Sequence, residues 1–319
     1  MNIILAILLL IGGLIILWKT AELLVAGAVR LAELLGISPL VIGLTVVAMG
    51  TSAPEAAASI AGVLRGPADL AVGNVFGSNI ANLALVGGFV AFIRPLTIKK
   101  ITLKREIPVM LLSALLLWPF LQNSHFSRPE AAALLIIFAG LLIITVHLAR
   151  KEGVEVKVEQ YEAKAPEKMI KCLLLVAAGL FGLALGAKMT VEGAVSIGLK
   201  LGLSEGVIAL TIIAFGTSLP ELVTCIVAAL KKQDEISIGN LVGSNIFNTL
   251  LVTGGAGLVK PFTISSRFAG GTDYWIMIIV SAGFAAIVIL SRRVIGKLGG
   301  SVLLCTYIAY IIYLFAFST

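Results

Sequence analysis

The chain has 319 residues, of which 59% are hydrophobic and only 13% charged, against about 45–50% and about 25% in an ordinary soluble domain. A mean hydropathy of +1.08 excludes a water-soluble enzyme or binding module and points to a protein embedded in lipid. The net charge of +7 is scattered over short connections between apolar runs, which excludes a nucleic-acid footprint.

Apolar runs long enough to cross about 30 Å of hydrocarbon as helices recur along the whole chain. The first, 3–29, lacks a basic leader region and a small-residue cleavage site, so it is expected to be a retained helix. The second, 39–64, contains GTSAPE (50–55), and the third, 70–93, contains GNVFGSNIAN (73–82). Two runs without such motifs follow at 106–122 and 130–149. Next comes the one long polar stretch, RKEGVEVKVEQYEAKAPEKMI, read as a cytoplasmic linker over 150–168. Beyond it, 169–195 is apolar, 205–230 carries GTSLPE (216–221), and 236–259 carries GNLVGSNIFN (239–248). The last two runs are 273–291 and 298–316. The period-2 alternation of a transmembrane β-barrel does not occur, so the expected fold is an all-α polytopic membrane protein with ten transmembrane helices.

The segment 26–55 aligns with 192–221 at an offset of 166, and the same offset holds to Arg94-Pro95 over Lys260-Pro261 without a gap. Chance does not hold one register from residue 26 to residue 95, so the chain is an internal duplication. The expected organisation is a first five-helix repeat over 1–149, the linker, and a second five-helix repeat over 169–319. Five crossings per copy reverse the second copy, giving inverted repeats whose matching motifs approach the midplane from opposite faces. With the N-terminus outside, the inner connections hold Arg30; Arg94, Lys99, Lys100, Lys104, Arg105; Arg150, Lys151, Lys157, Lys164, Lys168, Lys171; Lys231, Lys232; and Arg292, Arg293, Lys297. That is 17 basic residues against five outside, Arg65, Arg128, Lys200, Lys260 and Arg267. The positive-inside rule then places both termini outside a multi-pass cell (inner) membrane protein.

Glu55 and Glu221 each sit deep in an apolar run, where an ionised carboxylate costs several kcal/mol unless it is paired, on the order expected for buried charge. Salt bridges to Lys19 or Lys188 compete as an explanation, but those lysines have nearer acids in Glu22 and Glu192. A bound cation is the cheaper partner. Thr51 and Ser52 lie four and three residues before Glu55, on one helical face. Pro54 lacks an N–H, so it frees the Gly50 carbonyl and kinks or breaks the helix. Backbone exposed at that depth is tolerated where it lines a cavity or is buried by protein. Thr217, Ser218, Pro220 and Glu221 repeat the pattern.

In the second motif, Gly73/Gly77 and Gly239/Gly243 are small-residue pairs that let helices approach closely. Ser78 and Asn82, and likewise Ser244 and Asn248, lie one turn apart and present neutral oxygens. Asn74, Asn79, Asn240 and Asn245 read equally well as ligands or as interhelical glue. The glycines form no phosphate loop, since no GK[ST] follows them. Carboxylates, hydroxyls and amide oxygens without sulfur or imidazole suit Ca²⁺, Mg²⁺ or Na⁺, and a flexible mixed-oxygen cage favours Ca²⁺ over Mg²⁺. Cys172, Cys225 and Cys305 are expected to be small buried hydrophobes, and His125 and His147 to be non-ligands.

The paired GTSxPE and GNxxGSNxxN motifs make the whole chain resemble the sodium/calcium exchanger family of the calcium/cation antiporter superfamily, in its short prokaryotic form. The resemblance implies an ion-binding core built from the second, third, seventh and eighth helices, across which the first and sixth slide. Gly12, Gly13, Gly179, Gly182 and Gly186 would suit such a sliding face. Carried over by motif, the ligands are Glu55, Glu221, the hydroxyls of Thr51, Ser52, Thr217, Ser218, Ser78 and Ser244, the side chains of Asn82 and Asn248, and the backbone carbonyls of Ala48 and Ala214. Asn248 stands where potassium-dependent relatives carry Asp, which argues against a potassium requirement. Proton/calcium exchangers show GNxxE where this chain has GTSxPE, which disfavours proton coupling.

The reading is therefore Na⁺/Ca²⁺ antiport by alternating access, with Ca²⁺ and Na⁺ as transported ions, no cofactor and no obligate protein partner. The alternative is a proton- or potassium-coupled calcium exchanger. A cation channel also uses carboxylates but is usually built from a ring of subunits. An intramembrane enzyme with Ser52 or Ser218 as nucleophile lacks a His or Lys at matching depth, so no enzymatic activity is expected.

Overall fold

A computed structural model describes residues 1–65, 68–151, 165–203, 208, 212 and 214–317. Among the described residues, seven helices are long and apolar enough to cross a bilayer, or eight when the bent pair Pro39–Thr51 and Ala53–Arg65 counts as one span. The expected run 106–122 forms a helix of 16 residues, Glu106–Leu121, short for a full crossing. The run 205–230 falls partly outside the described residues, and its described end is Leu219–Leu230. Of the expected linker, residues 152–164 lie outside the described residues, while 150–151 end one helix and 165–168 begin the next.

Packing divides the chain into two units, residues 1–54 with 144–239 and residues 55–143 with 240–319. Each unit draws on both sequence halves, so packing partners cut across the repeat.

In the first unit, α1 (Ile3–Leu35) starts where the Asn2 side chain accepts the Leu5 N–H at 2.7 Å. It stops at Gly36, whose φ of +63° is the left-handed turn a Cβ would strain. Its chief partner is α10 (Ala165–Lys200). Gly193 lies against Ala6, Gly186 against Gly13 and Leu17, Gly179 against Leu24, and Gly27 against Val176. As residue numbers rise on one helix they fall on the other, so α1 and α10, mates in the repeat, run antiparallel. The glycines expected on a sliding face instead line this seam: a Cβ on Gly186 would stand 2.9 Å from both the Gly13 carbonyl and the Leu17 nitrogen. Only Gly12 stands clear of it, with Met189 at ordinary contact distance. Small residues let the two backbones touch, which is how helices gain packing where lipid supplies no hydrophobic drive. Leu8, Ile15 and Phe181 point outward and exposed, as lipid-facing side chains do.

The same unit holds α2 (Pro39–Ile42), a π-helical turn (Gly43–Val47) and α3 (Ala48–Thr51). Downstream lie α11 (Ala214–Thr217) and α12 (Leu219–Leu230). Lys19 pairs with Glu22 at 3.4 Å and Lys188 with Glu192 at 3.9 Å, which removes both lysines as counter-ions for a motif carboxylate.

The second unit contains α4 (Ala53–Arg65) from Glu55 onward, α5 (Asp69–Ile80), a π-helical turn (Ala81–Val86) and α6 (Gly87–Ile93). Next come β1 (Leu96–Thr97), α7 (Lys100–Lys104), α8 (Glu106–Leu121), β2 (His125–Phe126) and α9 (Arg128–Lys151) up to residue 143. From the second half it takes α13 (Asp234–Phe247) from Asn240, a π-helical turn (Asn248–Val252) and α14 (Thr253–Val259). The rest is β3 (Phe262–Thr263), α15 (Thr272–Leu290), β4 (Val294–Ile295) and α16 (Lys297–Phe317).

The strands pair crosswise between the halves, β1 with β4 and β2 with β3, both antiparallel. Helix α16 crosses α6 closely at Gly88 and Gly300, where a Cβ on either would meet the other's carbonyl at 3.0 Å and 2.7 Å. Arg267 forms an ion pair with the buried Asp273 at the start of α15. Burial pulls the guanidinium pKa down, but the hydrogen bond and charge of Asp273 pull harder, and the net shift is upward. Cys172 and Cys225 are buried free thiols, whereas Cys305 is exposed on α16. This corrects the expectation for Cys305: an outward position on a membrane helix is as apolar as a core, so composition does not separate the two.

Candidate cation site

Both GTSxPE motifs interrupt a helix at the serine. α3 ends at Thr51, Ser52 adopts φ −86° and ψ 8°, and α4 begins at Ala53. α11, whose first residue is Ala214, ends at Thr217; Ser218 adopts φ −87° and ψ 5°, and α12 begins at Leu219. Pro54 and Pro220 are thus second residues of helices, where the missing N–H is tolerated. The sequence expectation of a break is met, and the break falls two residues upstream of each proline. The motif glycines serve close approach: a Cβ on Gly50 would collide with Leu180, and one on Gly216 with Val191, both on α10.

The first unit brings together Thr51, Ser52, Ser218 and Glu221, all buried, with Thr217 half-buried. The Ser52 hydroxyl donates to Glu221 Oε1 at 2.8 Å, joining the serine of one motif to the glutamate of the other. The second carboxylate oxygen of Glu221 and the Ser218 hydroxyl have no hydrogen-bond partner among the described residues. The Ala48 carbonyl accepts the Ser52 N–H at 3.0 Å and the Thr51 hydroxyl at 3.4 Å. A carbonyl has two lone pairs, so a cation at Ala48 would have to displace or share the longer bond, the one from Thr51.

The second unit holds Glu55, Ser78, Asn82, Ser244 and Asn248, every one buried. Both side-chain atoms of Asn82 and of Asn248, and the Ser244 hydroxyl, lack partners among the described residues. Leaving a buried amide unmatched costs about 1–3 kcal/mol, so such groups mark a place where a ligand supplies the partner. Each amide sits on a π-helical turn. The Gly87 N–H reaches the Asn82 carbonyl, and the Thr253 N–H reaches the Asn248 carbonyl, both five residues back and 166 apart. π-Turns insert a residue into a helix and re-aim side chains, and they gather at functional sites. A third precedes α3, where the Ala48 N–H bonds the Gly43 carbonyl.

Asn74 donates to the Glu55 carbonyl at 3.1 Å and to Ser59 at 2.9 Å, so it ties α5 to α4. Asn79 donates to Thr249 at 2.9 Å, and Asn245 to the Leu241 carbonyl of its own helix at 2.8 Å. Asn74 thus serves as structural glue, whereas the side-chain oxygens of Asn79 and Asn245 are buried without a hydrogen-bond partner among the described residues. Sequence reasoning missed the π-turns and one further pairing. Ser59 donates to the Ala71 carbonyl at 3.2 Å, and its repeat mate Cys225 approaches the carbonyl of Ser237 at 3.5 Å. The offset of 166 on both partners was the available signal. No group of three or more His, Cys, Asp or Glu side chains comes together among the described residues, so the donors are mostly neutral oxygens, the chemistry of hard cations.

The family model described as sodium/calcium exchanger protein matches residues 5–146 and 171–316. The chain is 37% identical over 286 residues to the inner membrane protein YrbG of Escherichia coli (strain K12), covering 88% of each. It is 31% identical over 344 residues to the sodium/calcium exchanger MaX1 of Methanosarcina acetivorans, covering 97% of this chain and 98% of that one. A solved structure of the sodium-calcium exchanger NCX_Mj superposes with a TM-score of 0.83 at 32% identity, covering 98% of this chain and 100% of the other. With both motif pairs inside the matched ranges and MaX1 aligned over nearly the whole of both chains, the chain belongs to the sodium/calcium exchanger family.

Proposed function

We propose that this protein is a secondary active transporter of the inner membrane that exchanges Na⁺ for Ca²⁺ by alternating access. Both ions compete for the carboxylates of Glu55 and Glu221, the hydroxyls of Thr51, Ser52, Thr217, Ser218, Ser78 and Ser244, the side chains of Asn82 and Asn248, and the carbonyls of Ala48 and Ala214. The observation that carries this reading is the bond from Ser52 to Glu221 in a fully buried setting. Two copies of one motif there pool their oxygens around a carboxylate that no lysine pairs with among the described residues.

The antiport mechanism follows from charge. Two carboxylates in a low-dielectric interior are matched by one Ca²⁺ or by two Na⁺, and the empty site is too costly to carry across. Family membership supports antiport of calcium and another cation, and MaX1 and NCX_Mj are named as sodium/calcium exchangers. Ten crossings in two inverted repeats, with both termini outside, remain part of this proposal. The antiparallel course of α1 and α10 supports the inversion, because direct repeats would set these mates parallel. The strand pairings support the topology, since each joins connections that the charge split assigns to one face.

The deciding experiment is ⁴⁵Ca²⁺ uptake into proteoliposomes loaded in turn with Na⁺, K⁺ or acidic buffer. Uptake is expected only with the outward sodium gradient. Uptake that persists without it, driven by K⁺ or H⁺, would overturn sodium as the coupling ion.

A further inference from the structure

The two copies of the GNxxGSNxxN motif are chemically alike, but the turns that follow them are not supported alike. In the second copy, Thr249 directly follows Asn248 on the π-turn, and its hydroxyl accepts the Asn79 side-chain N–H at 2.9 Å from α5. One turn on, the Thr253 hydroxyl donates to the Asn248 carbonyl at 3.2 Å. At the matching positions of the first copy stand Leu83 and Gly87, which have no side-chain hydrogen bond to give. Asn245, the mate of Asn79, is accordingly turned back onto its own helix at Leu241. Asn79 lies three residues before Asn82, so its bond to Thr249 spans from the base of one amide to the neighbour of the other.

We infer that Thr249 is a positioning residue: through Asn79 it fixes the π-turn of Asn248 against α5 and so sets the spacing between the Asn82 and Asn248 side chains. This rests on the reading of those two amides as cation ligands. Thr249 itself touches no ion. The bond is fully buried at both ends, with Asn79 2% and Thr249 1% exposed, so water does not replace it when it is lost. Among the described residues, the other acceptor within reach of the Asn79 N–H is the Met277 sulfur at 3.5 Å, a weak acceptor that holds no part of the turn. Cation selectivity depends on how far apart the oxygens are held, because Sr²⁺ is larger than Ca²⁺ and a looser pair admits it more readily. The duplication would then carry one adjustable amide, Asn82, and one fixed amide, Asn248.

The test is sodium-driven ⁴⁵Ca²⁺ and ⁸⁵Sr²⁺ uptake by the full chain in proteoliposomes. Thr249→Val keeps the shape and removes the acceptor. It is expected to raise half-saturating Ca²⁺ about three- to tenfold, the worth of one buried hydrogen bond, to raise the Sr²⁺/Ca²⁺ uptake ratio, and to leave maximal rate within about twofold. Thr249→Ser is expected to restore both values, and Met277→Leu to leave them unchanged. Should Thr249→Val not yield a monodisperse protein, Thr249→Cys, of similar volume and poor as an acceptor, takes its place with the same expectation. Unchanged half-saturation and selectivity in Thr249→Val, alongside an impaired Asn248→Ala, would sink the positioning role and leave the ligand reading standing. Failure of Thr249→Ser to restore them would do the same, by reducing the effect to packing. A wild-type Asn248→Ala would overturn the ligand reading itself, and the positioning role with it.

Discussion

The Ser52 hydroxyl reaches Glu221 Oε1 at 2.8 Å across 169 residues of sequence. A motif that looks complete in each half therefore completes its polar contacts with the other half's motif. The helix break at Ser52 takes its hydroxyl out of a regular helical turn, where bonding to a carbonyl one turn back would compete with this contact.

Ser52→Ala removes a donor to a buried carboxylate, an interaction of about 1.5–3 kcal/mol. Half-saturating Ca²⁺ is expected to rise about tenfold or more, while Ser52→Thr retains most of the affinity. Concentration dependence of ⁴⁵Ca²⁺ uptake reads both.

Neutralising either motif glutamate leaves one charge for a divalent ion. Glu55→Gln and Glu221→Gln are each expected to lower exchange on the order of a hundredfold or more, with folding preserved on size-exclusion chromatography. Near-normal uptake by either variant would mean that the carboxylates do not share a substrate.

Asp273 is 2% exposed and Arg267 28%, so Arg267→Gln strands a buried carboxylate. The expected cost is about 2–4 kcal/mol, discounted slightly for the exposed guanidinium, read as a lower Tm in detergent. The sign of the pH dependence follows from the raised Arg267 pKa. A raised basic pKa contributes stability below the unfolded value, and that stability is lost only as pH rises through the folded one. Since both lie far above neutrality, the Tm penalty is expected to be constant from about pH 6 to about pH 9.

Thr97, His125, Thr263 and Val294 are exposed strand positions, paired as 97 with 294 and 125 with 263. Single cysteines there, in a background lacking Cys172, Cys225 and Cys305, test the topology with a membrane-impermeant maleimide. Residues 125 and 263 are expected to label from outside, and 97 and 294 only after the inner face is opened. A pair split between faces would contradict the pairing.

The offset of 166 and the apolar runs made the helices and the twin motifs legible, because both are local patterns with a fixed period. Three features were not. The π-turns at Asn82 and Asn248 rest on a single shifted backbone bond, which no residue type demands at that spacing. The bond from Ser52 to Glu221 depends on how the two halves meet, not on either motif. The glycines of α1 and α10 were legible as small and misread in role, since close packing and sliding ask for the same absence of a Cβ. The exposed Cys305 was hidden by lipid, which rewards an outward apolar residue as much as a buried one.

The crosswise strands and the contact of α6 with α16 at Gly88 and Gly300 also bear on biogenesis. Helices α5 and α6 enter the membrane early, but α16, which completes their packing, is among the last segments the ribosome delivers. Until residue 297 and beyond emerge, the small-residue face of α6 lacks its partner, and the first half is a guest awaiting its host. A chain interrupted near residue 290 lacks α16 and so leaves Gly88 of α6 without that contact.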